Sequence, residues 1–308
     1  MKQVFAVAPY KHGINFKMQV YDAWVKMGGK TLPAYYPWRA FHKFAYNYEL
    51  PTFHKSEKIA QLRFVEPVSL SFDTFPDYAR YEIIPLIWDC WPKFFKKTCQ
   101  WFEKHDVRTA IFTSSQTADR MKEQFPQMNI LTITEGINTS NFKKGKDLES
   151  RKHNIMRLGG ASRNIIIKQY PELFYKYCDI STEGFLPKDE FEDLMQDSKV
   201  VYIFPQCDTN PTLAGNIETL TQRYWECMLS RMLMIGRAPA ELISLIGYNP
   251  TIQFDPNNPT TQLEGFLRNI ESYQCLVDKN RDVALKYAPW DIRVREIHKW
   301  LKSIGYSI

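Results

Sequence analysis

The sequence predicts an α/β fold built on parallel sheets, and three observations lead to this prediction. Short β-branched segments alternate with amphipathic segments along most of the chain, as in folds where helices connect parallel strands. The 308 residues are enough for two domains of about 150 residues each. A lysine-rich polar segment, residues 141–152, has the composition of a linker. We therefore predict two Rossmann-like domains that face each other across a cleft, residues 1–143 and residues 144–289.

Hydrophobic periodicity predicts the elements of the first domain. Runs of β-branched and aromatic residues are interpreted as strands, and apolar residues at helical spacing as helices. Ser114 and Ser115 mark one helix start, because a serine there can accept a hydrogen bond from a free N–H group. The predicted strands are residues 4–9, 68–72, 83–88, 109–113 and 129–133, and the predicted helices are residues 16–27, 93–104 and 117–124.

The second domain repeats this alternation. Pro205 ends a buried strand that follows an amphipathic helix, and Pro239 opens another helix after the next strand. Beyond Pro259 the chain is helical, with a break at Ala288-Pro289 before a final amphipathic helix within residues 290–308. The other predicted elements are strands at residues 155–158, 231–236 and 251–254 and a helix near residues 165–177.

Cysteine and histidine usage argues against several classes of site. The six cysteines lack CxxC pairing and fall in segments of core composition, so neither a disulfide framework nor a zinc site is expected. The six histidines are scattered without ligand spacing, and no apolar run approaches the roughly 18 residues of a spanning helix. We predict a cytoplasmic chain without a metal cluster, a transmembrane segment or a signal peptide.

The formal charge of +6 is unevenly distributed. Residues 1–144 carry 20 Lys and Arg against 13 Asp and Glu, a net +7, and the rest of the chain carries a net −1. Two basic segments of the first half, residues 36–48 and 91–104, are also rich in aromatic residues. They are either contacts to an anionic membrane surface or ordinary amphipathic helices with aromatic residues in the core. Nucleic acid is not an expected partner, because no helix-turn-helix, RNP or zinc-finger pattern accompanies the basic residues.

Glu218 and Glu226, with seven residues between them, are the strongest functional signal. If a helix begins at Thr219 or Thr221, both carboxylates face one crevice. Free N–H groups at a helix start can hold a diphosphate, and the flanking carboxylates can accept hydrogen bonds from sugar and ribose hydroxyls. The alternative is that both glutamates are solvated residues of an amphipathic helix.

This spacing and its neighbourhood resemble the E-x7-E signature of family-four-type GT-B glycosyltransferases. Residues 184–205 resemble the stretch before the donor loop of these enzymes, and residues 134–142 resemble their interdomain segment. The resemblance implies a nucleotide sugar bound mainly by the second domain, an acceptor bound by the first, and a C-terminal helix within residues 290–308 that crosses back to the first domain. It also implies a retaining reaction. No DxD triplet occurs, which agrees with metal-independent donor binding and with no cofactor besides the donor.

The same resemblance implies a phosphate clamp after the first strand of the second domain. Gly159 and Gly160 would let the backbone approach the diphosphate, and Arg163 and Lys168 would stabilise the leaving group. The alternative for the two basic residues is surface charge at a helix start. Around the motif, the resemblance implies a catalytic role for Glu218 and donor contacts from Thr219, Leu220, Thr221, Arg223 and Glu226.

The chain departs from the family directly after the first glutamate. Relatives have a Gly-Phe-Gly-type turn there, whereas this chain has Thr219-Leu-Thr-Gln-Arg223. Arg223 either offers a fork to phosphate or pairs with a nearby acid. In the first domain, His12 and Asp89 follow strand candidates, where α/β sheets present ligand-binding loops. Each of them either contacts the sugar or the acceptor hydroxyl or is a structural residue.

These observations predict a metal-independent glycosyltransferase that moves a sugar from a nucleotide diphosphate donor to a hydroxyl of a glycan or lipid-linked acceptor in cell-surface polysaccharide synthesis. Two alternatives fit the same architecture: a sugar-nucleotide epimerase, and an inactive scaffold that binds a nucleotide or a partner protein. The basic aromatic segments add the prediction of a peripheral location on the inner face of the cytoplasmic membrane.

Overall fold

The structure is a computed structural model that describes residues 1–9, 16–33, 50, 53–158, 168–178 and 187–308. The chain divides into two compact units, one formed by Met1–Glu135 with Trp290–Ile308 and the other by Gly136–Pro289. The division falls before the predicted boundary at residue 143. Ile137 N donates to Ala288 O (2.8 Å) and Phe142 lies in the core of the second unit, so residues 136–143 belong to that unit.

The first unit is built on a parallel sheet. In the sheet, β1, β3, β4, β5 and β6 follow one another, with β2 also beside β1, and these pairings are all parallel. Ser114 is the N-cap of α4 and accepts from Thr117 N, which confirms the predicted helix start. The strands are β1 (Lys2–Val7), β2 (Thr31–Leu32), β3 (Ile59–Val65), β4 (Glu82–Ile87), β5 (Thr109–Phe112) and β6 (Asn129–Thr132), and the helices are α1 (Phe16–Lys26), α2 (Leu70–Thr74), α3 (Pro92–Lys104) and α4 (Ser115–Gln124).

The strand predicted at residues 68–72 is wrong, because helix α2 occupies most of that segment. The strand of this part of the sheet is β3, which the hydrophobic pattern does not show. Gln61 and Arg63 interrupt its apolar run although both are buried. Arg63 tolerates this position because it donates to Asp77 Oδ2 (3.2 Å) and to a backbone carbonyl, which compensates the buried charge.

The second unit contains a smaller parallel sheet in the order β7, β8, β9. The strand predicted at residues 251–254 is reduced to a single bridge between Ile252 and Ile235. The strands are β7 (His153–Met156), β8 (Ser198–Ile203) and β9 (Leu233–Gly236), and the helices are α5 (Pro171–Tyr177), α6 (Lys188–Asp197), α7 (Gln206–Thr209), α8 (Pro211–Ala214), α9 (Gln222–Leu229), α10 (Ala240–Ile246), α11 (Pro259–Arg268) and α12 (Gln274–Tyr287).

Residues 141–152 are an integral part of the second unit, so the linker prediction was wrong. Arg151 is buried, and its guanidinium donates to Ser198 O (2.7 Å) and Ser230 O (2.8 Å). Leu148 is fully buried, and its N–H donates to Gln274 Oε1 (2.8 Å). Arg151 and Leu148 therefore fix this segment to the second unit, although most of its other polar side chains are exposed.

The chain returns to the first unit through α13 (Trp290–Ser303) and β10 (Tyr306–Ser307). Val294, Ile297 and Leu301 of α13 pack in the same core as Trp24 of α1. Strand β10 pairs in parallel with β1, on the side opposite β3. The predicted return of the C-terminal helix to the first domain is confirmed, and β10 was not predicted.

Helix α3 separates its aromatic from its basic residues. Trp101 and Phe102 are buried, whereas Lys93, Lys96 and Lys97 are exposed. Residues 91–104 therefore correspond to the second interpretation, an amphipathic helix with aromatic residues in the core. The other basic aromatic segment, residues 36–48, lies outside the described residues. None of the described helices has both the length and the apolar character needed to cross a bilayer.

Candidate functional site

The motif around Glu218 and Glu226 is fully described and lies in the second unit. Lys168, the basic residue predicted to stabilise the leaving group, is described and exposed. The remaining candidates of the phosphate clamp and the first-domain histidine lie outside the described residues: Gly159, Gly160, Arg163 and His12.

Glu218 and Glu226 lie on either side of the start of helix α9. The helix begins at Gln222 with Thr221 as its N-cap residue, so Glu218 belongs to the preceding loop and Glu226 to the helix. One face of α9 is apolar, and it places Tyr224, Trp225, Cys227, Met228 and Leu229 in the core. Burial of this face fixes the helix, and with it the position of Glu226.

Glu218 is held by the start of the neighbouring helix α10. Its Oε2 accepts from Ala240 N (3.2 Å), the first residue of α10, and its Oε1 accepts from Arg237. In return, Glu241 of α10 accepts from Leu220 N (3.0 Å) in the loop that carries Glu218. Glu218 and Glu241 thus form reciprocal hydrogen bonds between this loop and α10, and these bonds orient the Glu218 carboxylate.

Arg237 also belongs to this candidate site, and its position was not predicted from the sequence. It follows β9 directly, and its N–H donates to Ile203 O (3.1 Å) at the end of β8. Its carbonyl accepts from Tyr224 Oη (2.6 Å) of α9. The preceding Gly236 has φ +141°, and a Cβ there would collide with the Ile203 carbonyl. The backbone of Arg237 is therefore anchored where two strands approach closely.

The side chain of Arg237 lies between two carboxylates. Its Nε and Nη2 donate to the two oxygens of Asp208 (2.7 and 2.8 Å), and its Nη1 donates to Glu218. The hydrogen bonds to Asp208 and the charges of Asp208 and Glu218 raise the pKa of Arg237, so the side chain is cationic. An arginine directly after a buried strand was the signal that could have identified this residue.

Glu226 has a different arginine partner. Its Oε2 accepts from Arg223 Nη1 (2.9 Å), and the Arg223 guanidinium lies over the ring of Phe191 in α6, 5.2 Å from the ring centre. Of the two interpretations of Arg223, the structure shows the pairing with a nearby acid. The two glutamates of the motif are therefore each paired with an arginine, but with separate ones.

Two of the three residues between Glu218 and the helix are buried in the second unit. Leu220 is fully buried in the core, and Thr219 is buried. Among the described residues, the Thr219 hydroxyl has no hydrogen-bond partner. Donor contacts from these residues stay a prediction.

Asp89 lies at the carboxyl end of β4 in the first unit, with φ +51°. Asp89 is exposed to solvent, and protein atoms near its carboxylate partly desolvate it. This desolvation, together with repulsion from Glu66, raises the pKa of Asp89 to about 6. A carboxylate with such a pKa at a strand end is typical of functional sites, although structural positions also produce it.

The arrangement in the second unit can recognise hydroxyl groups. Asp208, Glu218 and Arg237 gather where β8 and β9 end, which is the edge at which open parallel sheets bind ligands. Oriented carboxylates accept hydrogen bonds from sugar hydroxyls. Within the part of the chain that the structure describes, no three acidic, histidine or cysteine side chains form a group that could hold a metal ion.

Comparisons with solved structures identify the fold. The chain is similar to Anabaena HepE, solved with UDP and glucose, at a TM-score of 0.65 and 8% identity over 98% of this chain and 100% of that one. It is similar to sucrose-phosphate synthase from Thermosynechococcus elongatus (TM-score 0.58, 11% identity, 98% and 99% covered). It is also similar to AviGT4, a glycosyltransferase involved in avilamycin A biosynthesis (TM-score 0.57, 9% identity, 99% and 98% covered).

No family model and no curated protein sequence matches the chain. The similarity is therefore one of structure, and at these identities it shows the fold alone. The resemblance suggested by the E-x7-E spacing is confirmed at that level: the chain has the GT-B fold of glycosyltransferases.

Proposed function

We propose that the protein is a glycosyltransferase that moves a sugar from a nucleoside diphosphate to a hydroxyl acceptor. The observation that carries the proposal is the oriented Glu218 carboxylate, held by Arg237 and Ala240 N at the carboxyl edge of β8 and β9 in a GT-B fold. A fixed carboxylate at this edge fits the recognition of sugar hydroxyls. HepE has been solved with UDP-glucose, which supports a uridine diphosphate sugar as the donor class.

In the proposed reaction, the bond between the anomeric carbon and the diphosphate oxygen breaks, and a bond from that carbon to the acceptor oxygen forms. The acceptor proton passes to the departing phosphate on the same face, so the configuration is retained. Arg163 and Lys168 are proposed to stabilise the charge on the leaving diphosphate, and the exposed position of Lys168 leaves it accessible to a ligand. Neither a metal ion nor a further cofactor is part of this proposal.

We also propose that the protein works in the cytoplasm, in the synthesis of a cell-surface polysaccharide, next to an anionic membrane. The supporting observation is the exposed row of Lys93, Lys96 and Lys97 on α3. Because the aromatic residues Trp101 and Phe102 of this helix are buried, the contact would be electrostatic. Binding to vesicles containing anionic lipid should therefore fall when salt is raised or when these lysines are replaced by Gln. Binding that salt and the substitutions leave unchanged would contradict this part of the proposal.

The first experiment is a thermal-shift screen of the wild-type protein against nucleoside diphosphates and nucleotide sugars, with and without magnesium. A specific donor stabilises the folded state by mass action. We expect stabilisation by UDP and by one or more UDP-sugars, independent of magnesium, followed by transfer to an acceptor in a product assay. An isomerised nucleotide sugar formed without an acceptor would indicate the epimerase, and no response to any nucleotide would indicate the inactive scaffold.

A further inference from the structure

We propose that Arg237 is a positioning residue for Glu218, and that Asp208, Arg237 and Glu218 together recognise the sugar of the donor and not its diphosphate. This inference rests on the proposed function. It concerns a residue that the E-x7-E motif does not contain.

Arg237 is held at both its backbone and its side chain. Its backbone is bonded to the end of β8 through Ile203 and to helix α9 through Tyr224. Its guanidinium is then fixed by the two-point contact with Asp208, a geometry that a planar guanidinium and a carboxylate form with high directional preference. The remaining nitrogen of the guanidinium, Nη1, donates to Glu218. Arg237 thus fixes the Glu218 carboxylate relative to the end of the sheet.

Asp208, Arg237 and Glu218 form a cluster that carries a net negative charge. One cationic guanidinium lies between two carboxylates, which leaves a net charge of −1 on Asp208, Arg237 and Glu218. A diphosphate would be repelled by this charge, whereas neutral sugar hydroxyls would donate to it.

Most N–H groups of the Arg237 guanidinium already have acceptors within the protein. Its N–H groups are directed to both oxygens of Asp208, to Glu218 and to Cys207 Sγ (3.5 Å). A guanidinium has five N–H groups, so little of its donor capacity remains for a phosphate within the described surroundings.

The cluster is also open to a ligand. The Arg237 side chain is 46% exposed and that of Asp208 is 34% exposed, whereas that of Glu218 is 15% exposed. A substitution of Arg237 should therefore alter recognition without unfolding the second unit.

The test compares the wild type with Arg237→Gln, Arg237→Lys and Asp208→Asn by calorimetric titration with UDP and with a UDP-sugar that stabilises the wild type. We expect Arg237→Gln to bind UDP within about twofold of the wild type and to bind the UDP-sugar about 10- to 100-fold more weakly. Arg237→Lys keeps the charge and should recover part of the loss. Asp208→Asn, which leaves Arg237 and Glu218 in place, should weaken UDP-sugar binding in the same direction.

The matched control is Arg108→Gln, an exposed arginine paired with Asp106 in the first unit. It should bind both ligands like the wild type. Equal weakening of UDP and UDP-sugar by Arg237→Gln would overturn the inference, because Arg237 would then contact the diphosphate. Unchanged binding of both ligands by Arg237→Gln and Asp208→Asn would also overturn it. A wild type that binds no nucleotide at all would instead refute the proposed function, and the inference with it.

Discussion

Two arginines flank strand β9 and make the same kind of pairing in opposite surroundings. Arg231, before the strand, has a side chain that is 2% exposed, and it pairs with Asp147 and Asp278. Arg237, after the strand, has a side chain that is 46% exposed, and it pairs with Asp208 and Glu218. Each guanidinium lies between two carboxylates, so residue type and pairing alone do not distinguish them.

The difference lies in what each arginine connects. Arg231 also donates to the carbonyls of Gly145 (3.3 Å) and Lys146 (3.4 Å), and it ties this segment to α12 through Asp278. Arg237 instead connects loops at the carboxyl edge of the sheet, where ligands bind to parallel sheets. The comparison teaches that the strand end at which an arginine lies, and its burial, separate a stabilising residue from a candidate functional one.

The largest expected effect is at the carboxyl end of β9, where the proposed site lies. Glu218→Gln should lower the rate of sugar transfer by about 1000-fold, because it removes an oriented charge from the proposed site. The melting temperature should change little, since the contacts of Glu218 with Arg237 are partly exposed. A transfer assay and a thermal melt of the same samples measure both quantities. Glu264→Gln, which breaks a surface pair with Lys176, is the control, and full activity of Glu218→Gln would remove Glu218 from the site.

The next effect is on stability at the other end of the strand. Arg231→Ala should lower the free energy of unfolding by about 3 kcal/mol, because it removes a buried guanidinium that joins residues 145–147 to α12. Arg237→Ala should lower it by less than about 1 kcal/mol, because its pairs are exposed to solvent. Urea denaturation of both variants gives the two values. Equal losses would show that burial is not what separates the two arginines.

A smaller effect tests the close strand approach that anchors Arg237. Gly236→Ala should destabilise the protein by about 2 kcal/mol, because the new methyl group would collide with the Ile203 carbonyl and the backbone has a positive φ. Gly247→Ala is the matched control, since Gly247 has φ +81° but open space around it. We expect about 1 kcal/mol for the control, from backbone strain alone. Denaturation midpoints that do not differ between the two variants would contradict the collision.

The smallest effect concerns Asp89, at the carboxyl end of a strand in the first unit. Its folded-state pKa of about 6 lies above the unfolded value of 3.8, so wild-type stability should fall as the pH rises through this window. The whole shift would correspond to ~3 kcal/mol, but the residue contacts solvent, so we expect about 1 kcal/mol.

Asp89→Asn removes this titration and tolerates the same positive φ. The variant should match the wild type at pH 4 and be more stable than it at pH 7, as measured by urea denaturation at both values. A constant difference between the two proteins across this range would show that Asp89 does not titrate there.

Much of the fold followed from local patterns. The sequence analysis placed a helix start at Thr219 or Thr221, close to the observed start of α9, and Ser114 marked the start of α4. Hydrophobic periodicity failed at β3, where Gln61 and Arg63 are buried in a strand, bond to each other, and Arg63 also donates to Asp77 outside the strand. A pattern that assumes apolar interiors cannot show a strand whose polar residues are satisfied by tertiary contacts.

The sequence by itself determined the alternation of strands and helices, the spacing of Glu218 and Glu226 and the resemblance to GT-B enzymes, because these depend on neighbouring residues. Only the tertiary structure decided which charges from distant segments pair. Arg237 meets Asp208 and Glu218 because parallel pairing of β8 and β9 brings their loops to one edge. Arg223 and Glu226 differ, because they lie three residues apart in α9 and pair within one helix. Ion pairs between segments depend on distances that the fold sets, and a local pattern contains no such distances.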